Sequence, residues 1–344
     1  MKAAALTANG ELECLEVMEL LKPEPAAGEV RIALKTAALN HLDIWIRRGR
    51  PGLQMRFPHI QGSDAAGIVD AVGDGVTRVK VGDEVVVNPG LSCGVCEACQ
   101  KGQHSECPDF SLLGVSRPGT YAEYVTVPEV NVQSKPAYLN WEEAAAFPLA
   151  YLTAWRMLFS RAQLRPGESV LIHGIGGGVA LAALQLATGA GATCIVTSSS
   201  EDKLARAKEF GAVAGINYAR SESVAKEVLA LSDGRGVDVV VDSVGGATWP
   251  INMEATRKGG RITHCGVTGG PEVQANINPI YWRQLSILGS TMGSNDDFYQ
   301  LVRTMEAAEL RPVIDKVFPL DEAREAQGRM DRGEQFGKIV LSMG

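Results

Sequence analysis

At 344 residues the chain is long enough for about two domains of roughly 150 residues each. Hydrophobic residues make up 45 % and charged residues 21 %, which excludes wholesale disorder. With 33 basic and 40 acidic side chains the net charge is −7, and no basic stripe is visible, so a nucleic-acid partner is not expected.

In chain order, residues 1–11 hold one lysine and a four-residue apolar run, too short for the core of a signal peptide. Strand patterns follow at 30–36, 67–73, 83–88 and 121–127, punctuated by Pro23, Pro25, Pro89, Pro118 and Pro128. They predict an irregular β domain over 1–132, with a cysteine lobe at 90–110. After Pro136 the texture changes. Asn140, with Glu143 three residues on, predicts a capped helix. Strands at 169–173, 192–197, 237–242, 261–265 and 285–289 then alternate with helices at 179–188, 201–210 and 221–231. Such alternation implies right-handed crossovers and a parallel sheet, placed at 133–294. The segment 295–344 (helix 298–308, strand 313–318, helix 321–331, strand 338–342) is expected to return to the first domain. Residues 169–200 contain no Asp, Glu, Lys or Arg, yet six glycines break them into strand, turn, helix and strand. They predict buried sheet and helix rather than a membrane span, and a cytoplasmic protein without a membrane partner.

Seven cysteines are unevenly placed: Cys14, Cys194 and Cys265 stand alone, whereas Cys93, Cys96, Cys99 and Cys107 crowd together. Four thiolates so close in sequence can close a tetrahedron around one Zn²⁺, and four protein ligands leave no vacancy for substrate. A structural zinc is expected, with an iron–sulfur cluster as the alternative. His104, inside the lobe, reads as a surface residue.

Residues 170–180 form a strand, a glycine turn and a helix start, the setting of a dinucleotide fingerprint. Gly174, Gly176, Gly177, Gly178 and Val179 would bring backbone N–H groups and a helix N-terminus to a pyrophosphate. At the end of the second strand an NAD site places Asp or Glu against the ribose 2′-hydroxyl. Here that tip is Thr197, Ser198, Ser199 and Ser200, with Lys203 one turn on, which favours NADP(H). Glu201 and Asp202 either serve the helix N-terminus or turn towards the ribose.

A β-rich first domain, a four-cysteine lobe near residue 100 and a later nucleotide fold together resemble the medium-chain dehydrogenase/reductase superfamily. Asn40-x-x-Asp43, Gly82-Asp83-Glu84 and the closing Gly337-Lys338-Ile339-Val340-Leu341 extend the resemblance over the whole chain. It implies an α/β fold: a doubly wound Rossmann sheet plus a GroES-like domain carrying the zinc lobe. The lobe is similar to that of the zinc-containing alcohol dehydrogenases, and residues 40–49 to the quinone oxidoreductases.

The alcohol dehydrogenases of this superfamily hold a second, catalytic zinc. This chain has Asn40, Ser63, Asp64 and Leu149 at the ligand positions, and Leu42 at the proton-relay hydroxyl. Amide, hydroxyl, carboxylate and alkyl groups suit Zn²⁺ poorly. His41, His59 and Asp64 would be an improvised set only if the loops rearranged. Alcohol oxidation relies on the metal to lower the pKa of the bound oxygen. Without it the easier chemistry is NADPH-dependent hydride addition to a quinone or an α,β-unsaturated carbonyl. The alternatives are an alcohol dehydrogenase with an atypical or metal-free site and an NADPH-binding protein without turnover.

The resemblance also implies that Asn40, Trp45 and Asp64 lie near nicotinamide or substrate, with core packing the other reading of Trp45. By the same resemblance Thr153 contacts the nicotinamide end, Val244 and Gly266 the coenzyme, and Lys203 and Tyr218 the 2′-phosphate. His173 reads as a satisfied core histidine. Residues 285–292 resemble the edge strand that pairs across subunits, so a homodimer or homotetramer is expected.

Overall fold

Alternating burial along Glu29–Ala38 makes it the central strand of the first unit, with Val30, Ile32 and Leu34 on one face. The computed structural model describes residues 1–49, 52 and 54–344. Contacts divide the chain into a unit of Met1–Ala150 with Gly293–Gly344 and a unit of Tyr151–Met292.

In the first unit a seven-stranded sheet runs in the order Val132–Ser134, Glu84–Val87, Asp64–Val72, Glu29–Ala38, Lys338–Ser342, Ile314–Pro319, and Tyr124–Pro128 also pairs with Glu29–Ala38. Val30, Ile32, Val69, Val85, Val125 and Val127 form one core. Ala37, Ile44, Ile46, Tyr121, Phe318, Ile339 and Leu341 form another. Each of these larger aliphatic side chains contributes about 1.5–3 kcal/mol by burial. Ile314–Pro319 and Lys338–Ser342 pair within this sheet, and Gly293–Gly344 group with the first unit.

Residues 133–150, expected with the second domain, group with the first unit. The cause is local. Thr36 Oγ1 donates to Trp141 O at 2.6 Å, and the Tyr138 hydroxyl lies 2.8 and 2.7 Å from Met305 O and Leu310 O. Ala144, Ala145 and Ala146 are fully buried. The helix they belong to, Trp141–Ala146, carries the expected Asn140–Glu143 capping box.

The second unit is a six-stranded parallel sheet. Numbered within this sheet, its strands are β1 (Ser169–Ile172), β2 (Thr193–Ser198), β3 (Ala212–Asn217), β4 (Val237–Asp242), β5 (Thr256–His264) and β6 (Ser286–Gly289). Their order is β3-β2-β1-β4-β5-β6, and every pair is parallel. The order reverses at β1, so β1 and β4 diverge at the switch point where such folds take ligands. The uncharged span 169–200 forms β1, the buried helix Gly178–Gly189 and β2. β3 was not expected. It is an edge strand of mixed burial in which Gly215 lets Leu204 approach: a Cβ there would sit 3.0 Å from Leu204 Cδ2. Among the described residues no helix is long and apolar enough to cross a membrane.

One charge cluster locks β1 to β4. Asp238 accepts from Ser169 N and Oγ, both at 2.9 Å, from Arg235 Nη2 at 2.7 Å, and from Arg257. Burial opposes its ionisation, but the Arg235, Arg257 and Ser169 donors hold the carboxyl well below its ordinary range. A carboxyl with a depressed native pKa stabilises the fold above roughly pH 4, its unfolded value, and loses that contribution as the pH falls. Asp238→Asn should therefore cost about 2 kcal/mol near neutrality. In thermal melts the deficit should shrink as the pH drops below that value.

Candidate active site

Three chain segments converge on one buried polar cluster in the first unit. Glu29–Ala38 ends opposite the start of Asp64–Val72, with Ala38 facing Asp64. Lys338–Ser342 runs antiparallel beside the same strand end, Val340 facing Ala38, and that register brings Lys338 opposite Asn40. Leu39 N donates to Ile339 O at 2.9 Å, holding the crossing.

Asn40 is the N-cap of the helix His41–Arg48. The Asp43 carboxylate accepts from Asn40 N at 2.8 Å, the reciprocal half of a capping box at this helix start. Asn40 Nδ2 donates to Asp64 Oδ2 at 2.9 Å, and Leu149 N donates to Asp64 Oδ1 at 2.7 Å. Lys338 Nζ lies 2.7 Å from Leu39 O, 2.6 Å from Asn40 Oδ1 and 2.9 Å from Asp64 Oδ2. Asp64 is fully buried and Lys338 nearly so. Burial pushes the Asp43 carboxyl up to about 6, against the opposing Asn40 N–H and the Tyr121 hydroxyl, which donates at 2.7 Å. Behind the helix, Arg47 Nε donates to Gln327, Gln327 to Gln61, and Gln61 to Asp43 O.

Asn40 and Asp64 are thus brought together. Trp45, half-buried one turn on, meets the His41 ring edge-on at 5.2 Å between centroids. Lys338 was missed as a site residue: the closing 337–341 motif shows its presence, but nothing local in sequence shows what its amine meets.

The residues at the catalytic-zinc positions do not fit such an ion. Asn40 and Asp64 are bound to each other and to an ammonium, Ser63 Oγ donates to Leu113 O at 2.8 Å, and Leu149 offers only its backbone. His59 Nε2 lies 2.9 Å from Gly114 O, and His41, His59 and Asp64 do not converge as a ligand group. Among the described residues the four cysteines are the sole group of three or more His, Cys, Asp or Glu with converging ligand atoms.

Those four sulfurs lie within 4.8 Å of one another. Cys93 and Cys99 are 4.0 Å apart, and Cys93 and Cys107 3.5 Å, close to the ~3.8 Å edge of a tetrahedron with Zn–S bonds of about 2.3 Å. Backbone N–H groups of Val95 and Cys96 lower the pKa of the Cys93 thiol, while that of Cys96 beside it is raised. The short pair Gly90–Leu91 and Ser111–Leu112 forms the base of the lobe. The geometry fits a structural zinc. His104 is half-buried in the lobe, its Nδ1 3.4 Å from Asn295 N.

In the second unit β1 leads into the glycine turn. Gly174 and Gly176 have φ of +71° and +110°, a region that favours glycine. Gly177 is the N-cap of Gly178–Gly189, and a Cβ there would meet just Gly174 O at 3.5 Å. The protein itself leaves that space open, as close approach of a pyrophosphate requires, so the turn fits a dinucleotide. Beside it Asp242 Oδ1 accepts from Val244 N at 2.6 Å and Gly245 N at 3.1 Å, shaping the loop after β4. At Gly266 a Cβ would sit 2.8 Å from Ser243 O, so packing of the two loops already explains that glycine. His173 is satisfied on both ring nitrogens, by Thr197 Oγ1 at 3.1 Å and Asn252 Oδ1 at 2.8 Å, and burial lowers its pKa. Thr153 is buried, with Oγ1 3.7 Å from Met292 Sδ.

At the tip of β2, Ser198 Oγ accepts from Ser200 N and Ser200 Oγ from Lys203 N, leaving Ser199 as the exposed hydroxyl. Tyr218 N donates to Ser198 O, bringing the exposed Tyr218 beside the same tip. Glu201 is drawn off: its Oε1 accepts from Asn217 Nδ2 at 2.6 Å and Arg220 Nη1 at 3.1 Å.

Residues 26–137 match the model of the alcohol dehydrogenase GroES-like domain, and residues 178–307 that of the zinc-binding dehydrogenases. The chain is 36 % identical to a zinc-type alcohol dehydrogenase-like protein of Schizosaccharomyces pombe, over 95 % of this chain and 93 % of that protein. It is 32 % identical to a quinone oxidoreductase of Pseudomonas aeruginosa, over 99 % of each. A crystal structure of an NAD-dependent alcohol dehydrogenase superposes with a TM-score of 0.95 at 47 % identity, covering 100 % of both chains.

Proposed function

Because the chain belongs to the medium-chain dehydrogenase/reductase superfamily and is an oxidoreductase, we propose that it uses NADPH to reduce a quinone or an α,β-unsaturated carbonyl without a catalytic metal. The observation that carries this reading is the donor set at Asn40, Ser63, Asp64 and Leu149. It is hydrogen-bonded around an ammonium and has no thiolate or imidazole to offer zinc.

The turn at Gly174, Gly176, Gly177, Gly178 and Val179 holds the pyrophosphate. The loops at Val244 and Gly266 and the side chain of Thr153 line the nicotinamide end. Ser199, Lys203 and Tyr218 take the 2′-phosphate, a reading supported by the diversion of Glu201 to Asn217 and Arg220. When bound, NADPH supplies a hydride. With an enone as acceptor, the Asn40 N–H would stabilise the negative charge that the carbonyl oxygen takes on when hydride reaches the β-carbon, and water would return the proton to the α-carbon. Asp64 holds the Asn40 amide, and Trp45 offers an apolar wall to the acceptor. The four cysteines hold one structural zinc that takes no part in the chemistry.

A second reading, NAD-dependent interconversion of alcohols and carbonyls, is favoured by the name of the relative at 47 % identity. Coenzyme consumption against quinones, enones, aldehydes and ketones separates the readings. We expect turnover with quinones or enones. Turnover with aldehydes and ketones alone would replace the first reading by the second, and silence throughout would leave a coenzyme-binding protein.

The same proposal includes a homodimer through β6. This edge strand is preceded by the helix Ile277–Trp282, on which Ile277, Tyr281 and Trp282 are exposed, the tryptophan by 75 %. An unpaired edge beside an apolar face suits an isologous contact. Light scattering should give twice the subunit mass or a multiple of it, and Ile287→Lys with Trp282→Glu should lower it to one subunit.

A further inference from the structure

Lys338 lies outside every role assigned above, and its bonding is unusually complete. An ammonium has three N–H donors and no acceptor. All three are used: Leu39 O at 2.7 Å, Asn40 Oδ1 at 2.6 Å and Asp64 Oδ2 at 2.9 Å. No donor remains for a substrate, so the amine acts through its neighbours. It also determines which way Asn40 faces. Turned over, the Asn40 amide would aim its NH₂ at the ammonium and its oxygen at the Asp64 carboxylate, two repulsive contacts in place of two attractive ones. The observed orientation leaves Nδ2 with one N–H on Asp64 and the other 3.5 Å from Ala38 O, too long to use its donor capacity. Asn40 is 7 % exposed, whereas Asp64 is fully buried.

We propose that Lys338 is a positioning residue for the reduction: its ammonium pins the Asn40 amide in the orientation that offers an Nδ2 N–H to the acceptor oxygen. This rests on the reading of the site as a metal-free reductase. Binding the Asn40 oxygen to a positive charge also polarises the amide, which makes its N–H a better donor to a developing oxyanion. The arrangement is rigid because Lys338 begins a strand hydrogen-bonded to the strand that ends just before Asn40.

The test is a double-mutant cycle on enone or quinone reduction. Lys338→Met keeps the length of the side chain and removes the charge. It should lower kcat about 100-fold while NADPH affinity, read by fluorescence titration, stays unchanged. Asn40→Ala should lower kcat similarly, and combining the two should cost no more than Asn40→Ala alone, since the lysine works through the asparagine. A fall of less than about threefold in a folded Lys338→Met, or effects that multiply, would overturn the proposal. If the unpaired Asp64 prevents folding, Lys338→Met with Asp64→Asn removes both charges and takes its place in the cycle. A separate arm needs no turnover. With ¹⁵N in the asparagine side chains, the Asn40 NH₂ resonances should move on Lys338→Met, and unmoved resonances overturn the pin. A wild type that reduces only aldehydes or ketones would sink the reading of function, while this arm still decides the place of Lys338.

Discussion

Protein purified without chelator should carry about one zinc per subunit, and Cys99→Ser should carry essentially none. The lobe has little else to hold it. Its base is a two-residue strand pair, and the loop between consists of turns and two short helices, Glu97–Gln100 and His104–Glu106. In small zinc peptides the metal contributes about 10 kcal/mol or more, and the four convergent sulfurs would otherwise leave the lobe without a core. Hydrogen exchange over 90–112 should rise to that of an unfolded segment in Cys99→Ser, while NADPH affinity is unchanged. Two zincs per subunit would mean that the cluster of Asn40, Asp64 and Lys338 opens to admit a metal, and would overturn the metal-free reading.

The second large effect concerns coenzyme choice. The wild type should prefer NADPH, and Ser199→Asp should cut its preference over NADH by about 100-fold, or about 2.7 kcal/mol. The exposed Ser199 hydroxyl lies between Ser198 and Ser200, whose own hydroxyls are spent on the backbone. A carboxylate there would oppose a 2′-phosphate, a like-charge contact worth several kcal/mol, and would accept hydrogen bonds from a free ribose diol. The ratio of kcat/KM values for the two coenzymes is the measurement. A wild type that prefers NADH, or a ratio unmoved by the substitution, would show that the β2 tip does not select.

How much of the site was legible depends on how far apart its parts lie in the chain. The cysteine quartet fits in 15 residues and the glycine turn in six, so spacing alone exposes both. The polar cluster joins Asn40 to a residue 24 positions on and Asp64 to one 274 positions on, distances over which no local pattern survives. The β3 strand was missed because an edge strand needs just one packed face. Ala212 and Ile216 are buried while Val213 is exposed, and the glycine that admits Leu204 weakens the β pattern further.

The sequence by itself determined the two-part architecture, the four cysteines and the glycine turn, because each is a property of residue type and near spacing. Tertiary structure decided what Asn40 and Asp64 meet, which hydroxyl at the β2 tip is exposed, and with which unit residues 133–150 group. The physical reason is the same for all three. A hydrogen bond or a buried charge pair requires atoms within about 3 Å, and only the folded sheet register brings Lys338 to Asn40 and Asp64.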